Sequence, residues 1–251
     1  MKLRLFVLVI SLLFSKFVLA QNRISDNHSI AWAGVFTTLK FNNKWSWHAE
    51  FQYRRVDWIA TAQQNLFRTG INFQPNKKIL FRVGYANAET FPYGEYPLNS
   101  MGKKYSDNRA FEMISITDKI NHVDITNRVM LEQRFVGKYS SAALTKEDDF
   151  SFVNRIRYMF RMQVPLQKKV TSKHAPYLAM YDEIFIGFGK NVGENIFDQN
   201  RIGILFGYKF NDLIKLEGGY LSQIVQLGRE IDNKNVFQYN DGAMLNTILT
   251  F

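Results

Sequence analysis

Between Trp45 and Arg54 apolar and polar residues alternate without a break. Trp45, Trp47, Ala49, Phe51 and Tyr53 fall on one side, Ser46, His48, Glu50, Gln52 and Arg54 on the other. Successive side chains of a strand point to opposite faces, so the stretch predicts a β-strand with one apolar and one ionic face. The pattern returns at residues 123–135, where Val123, Ile125, Val129, Leu131 and Phe135 oppose Asp124, Thr126, Arg128, Glu132 and Arg134, with Asn127 and Gln133 as polar intruders on the apolar side. At residues 152–164, Phe152, Ile156, Tyr158, Phe160, Met162 and Val164 oppose Arg155, Arg157, Arg161 and Gln163. At residues 202–210, Ile202, Ile204, Phe206, Tyr208 and Phe210 oppose Gly203, Gly207 and Lys209, with Arg201 just ahead on the polar side. Weaker alternation predicts further strands at 30–41, 65–74, 79–90, 109–119, 176–188, 214–226 and 236–251, and no helix interrupts them.

The connections suggest how these strands are arranged. Asn42-Asn43-Lys44, Pro75-Asn76-Lys77-Lys78, Ile120-Asn121-His122 and Asn211-Asp212 read as tight turns, while longer polar links lie at 91–108, 137–149, 189–200 and 227–235. Short and long connections alternate, with 165–175 the exception, as in a membrane barrel with short turns on one side and long loops on the other. Segments of roughly ten residues are long enough to cross a bilayer as tilted strands. The expected fold is therefore all-β: a closed antiparallel transmembrane β-barrel of 10 to 12 strands with its Trp face to lipid. Eleven segments are legible, but an even count returns both termini to one side. Ten or twelve is the expectation, with residues 21–29 pairing weakly or returning through the lumen, or one segment misread. The 91–108 link, with Pro92, Tyr93, Tyr96, Pro97 and Tyr105, reads as an ordinary surface loop.

The N-terminus adds a compartment. Lys2 and Arg4 precede an apolar run at 5–14, and Val18-Leu19-Ala20 has the small residues of a cleavage site, so residues 1–20 read as a signal peptide and 21–251 as one barrel domain. The chain has no cysteine, which excludes a disulfide framework, a thiolate zinc site and a cysteine nucleophile. It has no later apolar run of membrane-helix length. The final segment places Ala243, Leu245, Leu249 and Phe251 on one face and ends on that aromatic, as an outer-membrane insertion signal does. The expected location is the bacterial outer membrane, with membrane lipid and the barrel-assembly machinery as partners. Lys2, Arg4 and Lys16 would leave with the signal, taking the formal charge from +10 to +7. The arginines are spread along strands rather than clustered in a helix or tail, so nucleic acid is not an expected partner.

With the Trp face outward, the lumen receives His48, Glu50, Arg54, Arg68, Arg82, Arg128, Glu132, Arg134, Arg155, Arg157, Arg161, Glu183, Arg201 and Glu217, and also Glu112. In a narrow barrel such residues pair and fill the interior. In a wider one the excess arginines line a pore that attracts a small anionic solute. Catalysis is not expected: His28 precedes the first strand, His122 and His174 fall in turns, and His48 stands beside Glu50 and Ser46 on one strand face rather than in a relay. No spacing supports a metal or a cofactor, and Gly187-Phe188-Gly189 and Gly218-Gly219 read as close packing or bends.

Several fragments carry a family resemblance: Ala49-Glu50-Phe51-Gln52-Tyr53-Arg54, the run from Asn127 through Leu131-Glu132-Gln133-Arg134-Phe135, Arg155-Ile156-Arg157-Tyr158, Tyr181-Asp182-Glu183-Ile184-Phe185, and FDQNRIGILFGYKF from Phe197 to Phe210. Together they resemble an exported barrel family catalogued as domain of unknown function 2490. The resemblance implies an outer-membrane barrel and no particular activity. Asn127 departs from the basic or aromatic residue expected there, which bears on the register of its strand.

Overall fold

The backbone follows the alternation. The computed structural model describes residues 23–167 and 174–251. These form eleven strands and no helix: β1 (Arg23–Lys40), β2 (Trp45–Val56), β3 (Thr61–Phe73), β4 (Ile79–Thr90), β5 (Tyr105–Ile120), β6 (Val123–Lys138), β7 (Asp149–Pro165), β8 (Ala175–Phe188), β9 (Phe197–Lys209), β10 (Ile214–Ile231) and β11 (Lys234–Thr250). The signal expected at residues 1–20 lies outside the described residues.

Consecutive strands pair antiparallel all the way round, and β1 pairs with β11 in parallel to close a barrel. The parallel closure follows from the count, because in an odd number of up-and-down strands the first and last run the same way. The expectation of an even, wholly antiparallel sheet is corrected here. Residues 23–29, which have little apolar pattern, neither return through the lumen nor pair weakly. They extend β1 and stay in register from Arg23 opposite Asn235 to Thr38 opposite Thr250. The ladder reaches the last residue: Phe251 donates its amide to the Thr38 carbonyl and accepts from the Lys40 amide, both at 2.8 Å. Closure leaves no strand edge open to another chain.

Turn chemistry sorts the two ends. At one end Asn42, Asn76 and Asn211 each use a side-chain oxygen to accept the amides two and three residues on, at 2.8–3.0 Å. The opposite end carries the longer links 91–104, 139–148 and 189–196. The long link expected at 227–235 is replaced by strand. β10 continues to Ile231 past a register shift, and Asp232 and Asn233, at φ 51° and 56°, make a two-residue hairpin.

Burial alternates along each strand. In β2, Trp45, Trp47, Phe51 and Tyr53 are exposed on the outer face while His48, Glu50 and Arg54 are buried inside. Two intruders find partners outside: Asn127 accepts from the Tyr158 hydroxyl at 2.6 Å, and Gln133 donates to Glu112 at 3.1 Å. Glu112 is therefore exposed on the outer face, contrary to its expected luminal position. The parity of β5 is set instead by Asp107, Arg109, Phe111 and Met113, all buried inside. One residue of register decides which set faces in.

Apolar and aromatic side chains fill much of the interior. Phe111, Met113 and Met130 pack with Ala86, and Tyr177 and Leu205 with Ala179. Across the β8–β9 pair, Tyr181 stands opposite Gly203 and Tyr177 opposite Gly207. A Cβ at either glycine would lie 2.2 Å from the facing ring, so the missing side chains are what allow the rings to lie against the wall. Gly203→Val should cost about 1–3 kcal/mol by driving Tyr181 off its seat. Gly218→Ala, whose nearest non-neighbour atom is at 3.5 Å, should cost far less. Urea titration followed by tryptophan fluorescence compares the two midpoints.

Candidate functional site

The interior charges form a connected network. Glu132, fully buried, accepts from Arg155 at 2.5 Å and Arg157 at 2.9 Å, with Arg109 at 3.8 Å. Asp107 holds Arg109 at 2.7 Å and Arg134 at 2.6 Å, and Asp198 holds Arg155 at 2.5 Å and Arg134 at 3.6 Å. Charges of alternating sign thus run in a closed circuit through Arg134, Asp107, Arg109, Glu132, Arg155 and Asp198. Arg157 links Glu132 to Glu183 at 2.8 Å, and Glu183 also holds Arg128 at 2.7 Å. Separate groups lie elsewhere on the inner wall. Glu50 pairs with Arg68 at 2.8 Å and with His48 at 3.5 Å, Arg82 donates to Asn72, and Glu217 is held by Arg161 and by the Tyr177 hydroxyl.

Above this network a cavity of about 420 Å³ opens toward the long-loop end. Its lining includes Arg54, Arg68, Arg109, Arg134, Arg155, Arg157, Arg201 and Arg229, against Asp107 and Asp198 as acids. Two β-bulges shape it. Between β2 and β3 the pairing steps from Arg54–Gln64 to Arg55–Ala62, leaving Gln63 as the extra residue. Gln63 is thereby turned inward and accepts from the Trp32 indole at 2.7 Å. Between β8 and β9 the step from Phe185–Gln199 to Ile186–Phe197 does the same for Asp198. Strict alternation cannot foresee a residue that a bulge re-aims, and the sequence reading left Asp198 in a loop. It missed Asp107, which falls in the link expected at 91–108, and Arg109, through the inverted parity of β5. It missed Trp32, buried inside on β1, because that strand's apolar pattern is weak on both faces.

Other positions resolve as follows. His28 lies within β1, facing in, with Nε2 3.0 Å from Asp26. Ser46 accepts from Asn72 at 2.9 Å, and His48 Nε2 lies 3.5 Å from Glu50. No group of three or more metal-ligating side chains occurs among the described residues.

Residues 30–235 match the family described as protein of unknown function (DUF2490). The chain belongs to that family. No curated protein matches it.

In this DUF2490 barrel the 91–104 loop is more than a surface link. Tyr93 turns into the mouth, 6% exposed, where its hydroxyl donates to Gln238 at 2.8 Å and accepts from Gln63 and Asn240 at 3.2 Å. Burial pushes that hydroxyl's pKa up to about 12. The backbone carbonyls of Pro97 and Leu98 accept from Arg229, and that of Tyr96 from Gln238. The loop thus forms one wall of the cavity.

Glu132→Gln should destabilise the fold by about 3–5 kcal/mol, because it leaves three guanidiniums short of a buried counter-charge; denaturant midpoints measure this. Tyr93→Phe should leave the global midpoint within about 1–2 kcal/mol of wild type. It should nevertheless speed tryptic cleavage at Lys103 and Lys104, since the loop loses its anchor in the mouth.

Proposed function

We propose that this chain is a bacterial outer-membrane barrel, non-enzymatic and closed to through-flow, whose long-loop end presents a basic binding cup to the exterior. Two features support the location. The outer face exposes apolar residues on strands around the barrel, among them Val35, Phe51, Phe67, Val83, Ile156, Ile204 and Leu245. A contiguous apolar surface wrapped round a closed sheet is suited to lipid. Aromatic side chains cluster near the turn end, with Trp45 against Phe73 at 4.7 Å and Tyr208 against Phe210 at 4.7 Å, as interfacial girdles do.

The observation that carries closure is burial of the inner wall. A water-filled pore wets its lining. Here Phe111, Met130, Leu205, Leu221, Glu132 and Glu217 all face inward and are at most 3% exposed. The paired charges and rings fill the section beneath the cup, the behaviour of a narrow barrel. The arginine excess of the cup favours a second reading, an anion-preferring channel.

Planar-bilayer recording of the purified protein separates the two. A closed barrel inserts and passes no steady current, whereas stepwise anion-selective conductance would overturn closure. His48→Ala should leave any bilayer behaviour unchanged and should remove no lipid-hydrolysing activity. Loss of such an activity with the fold intact would replace the binding reading with an enzymatic one.

A further inference from the structure

Most interior arginines have a carboxylate partner; at the cup Arg54, Arg201 and Arg229 do not, and Arg229 is taken up by the carbonyls of Pro97 and Leu98. Arg54 donates only to the amide oxygens of Gln52 and Gln64, at 2.6–3.0 Å, and Arg201 only to that of Gln199, at 2.9 and 3.1 Å. Their guanidinium carbons lie 4.1 and 4.9 Å from the centroid of the same Trp32 ring, and Arg201 is also 4.7 Å from the Phe185 ring. Stacking on aromatic faces orients a guanidinium and offsets part of its charge, but it supplies no hydrogen-bond acceptor. Nη1 of Arg201 has no hydrogen bond to a described residue.

A second observation points the same way. Arg68 and Arg109 line this cavity, each 6% exposed, and the Nε–H of each is buried without an acceptor. Buried donors are ordinarily satisfied, and an unpaired one is costly. Four guanidiniums with donor capacity to spare therefore converge on a cavity of about 420 Å³, a volume in the range of small-molecule sites.

We propose that the floor of the cup is a binding site for a small soluble polyanion, a molecule bearing two or more phosphate or carboxylate groups, bridged between Arg54 and Arg201 with Arg68 and Arg109 beneath. Arginine forks fit both oxyanions bidentately, and one charged group seated between two forks satisfies donors that glutamine oxygens leave open. A lipid headgroup is disfavoured by geometry, because the wall is hydrogen-bonded all round and the cup opens only at the loop end. The inference deepens the cup reading above and rests on it.

The test uses the purified full-length barrel, folded in detergent, with inorganic pyrophosphate as the probe in calorimetric titration. One saturable site per chain is expected, weakened by added salt as exposed electrostatic attraction is. Arg54→Gln and Arg201→Gln should each weaken binding about tenfold or more, the order expected for a lost charge-assisted hydrogen bond. Lys78→Gln, at the other end of the barrel, should leave it unchanged. Should either arginine variant fail to fold, the wild-type protein still decides: saturating pyrophosphate should slow phenylglyoxal modification of Arg54 and Arg201, mapped by mass spectrometry.

Absence of saturable binding, or unprotected arginines, overturns the site. Saturable binding that both variants retain also overturns it, by placing the anion elsewhere. Displacement of pyrophosphate by micelles bearing a phosphate-headgroup lipid, but not by soluble phosphate esters, would overturn the soluble-ligand assignment. Bilayer conductance of the same preparation is read independently. A conducting barrel that pyrophosphate blocks sinks closure and keeps the site, whereas a silent barrel that binds nothing sinks the site and keeps closure.

Discussion

Glu132 has no exposed surface and sits among Arg155, Arg157 and Arg109. A carboxylate taken out of water is tolerable only when paired and hydrogen-bonded, and each guanidinium carries the same requirement to its next neighbour. The result is a circuit in which no member can be removed alone. Arginine suits this role better than lysine, since its planar fork bonds two acceptors at once: Arg155 joins Glu132 to Asp198 and Arg157 joins Glu132 to Glu183. These contacts tie strands β5 to β9 to one another on the inner side of the wall, in addition to their backbone ladder.

Closure of the sheet makes such an interior available. With β1 and β11 joined in parallel, every strand has two neighbours, and the inner face becomes an enclosed volume shared by side chains from all directions. Glycines at 203 and 207 admit tyrosine rings against the wall, and methionines and Phe111 take up the remaining space. The outer face meets a different requirement: its exposed side chains are mostly apolar, and its few polar ones pair laterally, as Asn127 does with Tyr158 and Asp241 with Tyr220.

The two ends of the lumen differ in one respect that bears on function. Beneath the cup most charges are matched, Arg82 on Asn72 being an exception, and surfaces are buried. At the cup, bulges in β3 and β9 turn Gln63 and Asp198 inward, the 91–104 loop supplies Tyr93, and Arg54 and Arg201 are left with amides and rings rather than carboxylates. Positive charge that the fold does not neutralise is concentrated where the barrel is open, and this arrangement underlies both the proposed cup and the proposed polyanion.

Fold class was legible in the sequence because a strand's period of two is a local property: Trp45–Arg54 or Val123–Phe135 reveals its two faces without any partner. The turns were legible for the same reason, since the side chains of Asn42, Asn76 and Asn211 bond to amides only two and three residues away. Long-range facts were not legible. Eleven segments can be counted in the sequence, but whether Arg23–Ser29 extends β1 or stands apart depends on β11, more than two hundred residues on, and so does the parallel closure. The parity of β5 rests on its register with β4 and β6, so Glu112 and Arg109 could not be assigned faces in isolation. Asp198 and Gln63 reach the interior through bulges, which two strands create jointly. By itself the sequence determined the strands, their turns and the ionic character of one face. The tertiary structure alone decided which charges meet, because register, closure and bulges are properties of pairs of strands.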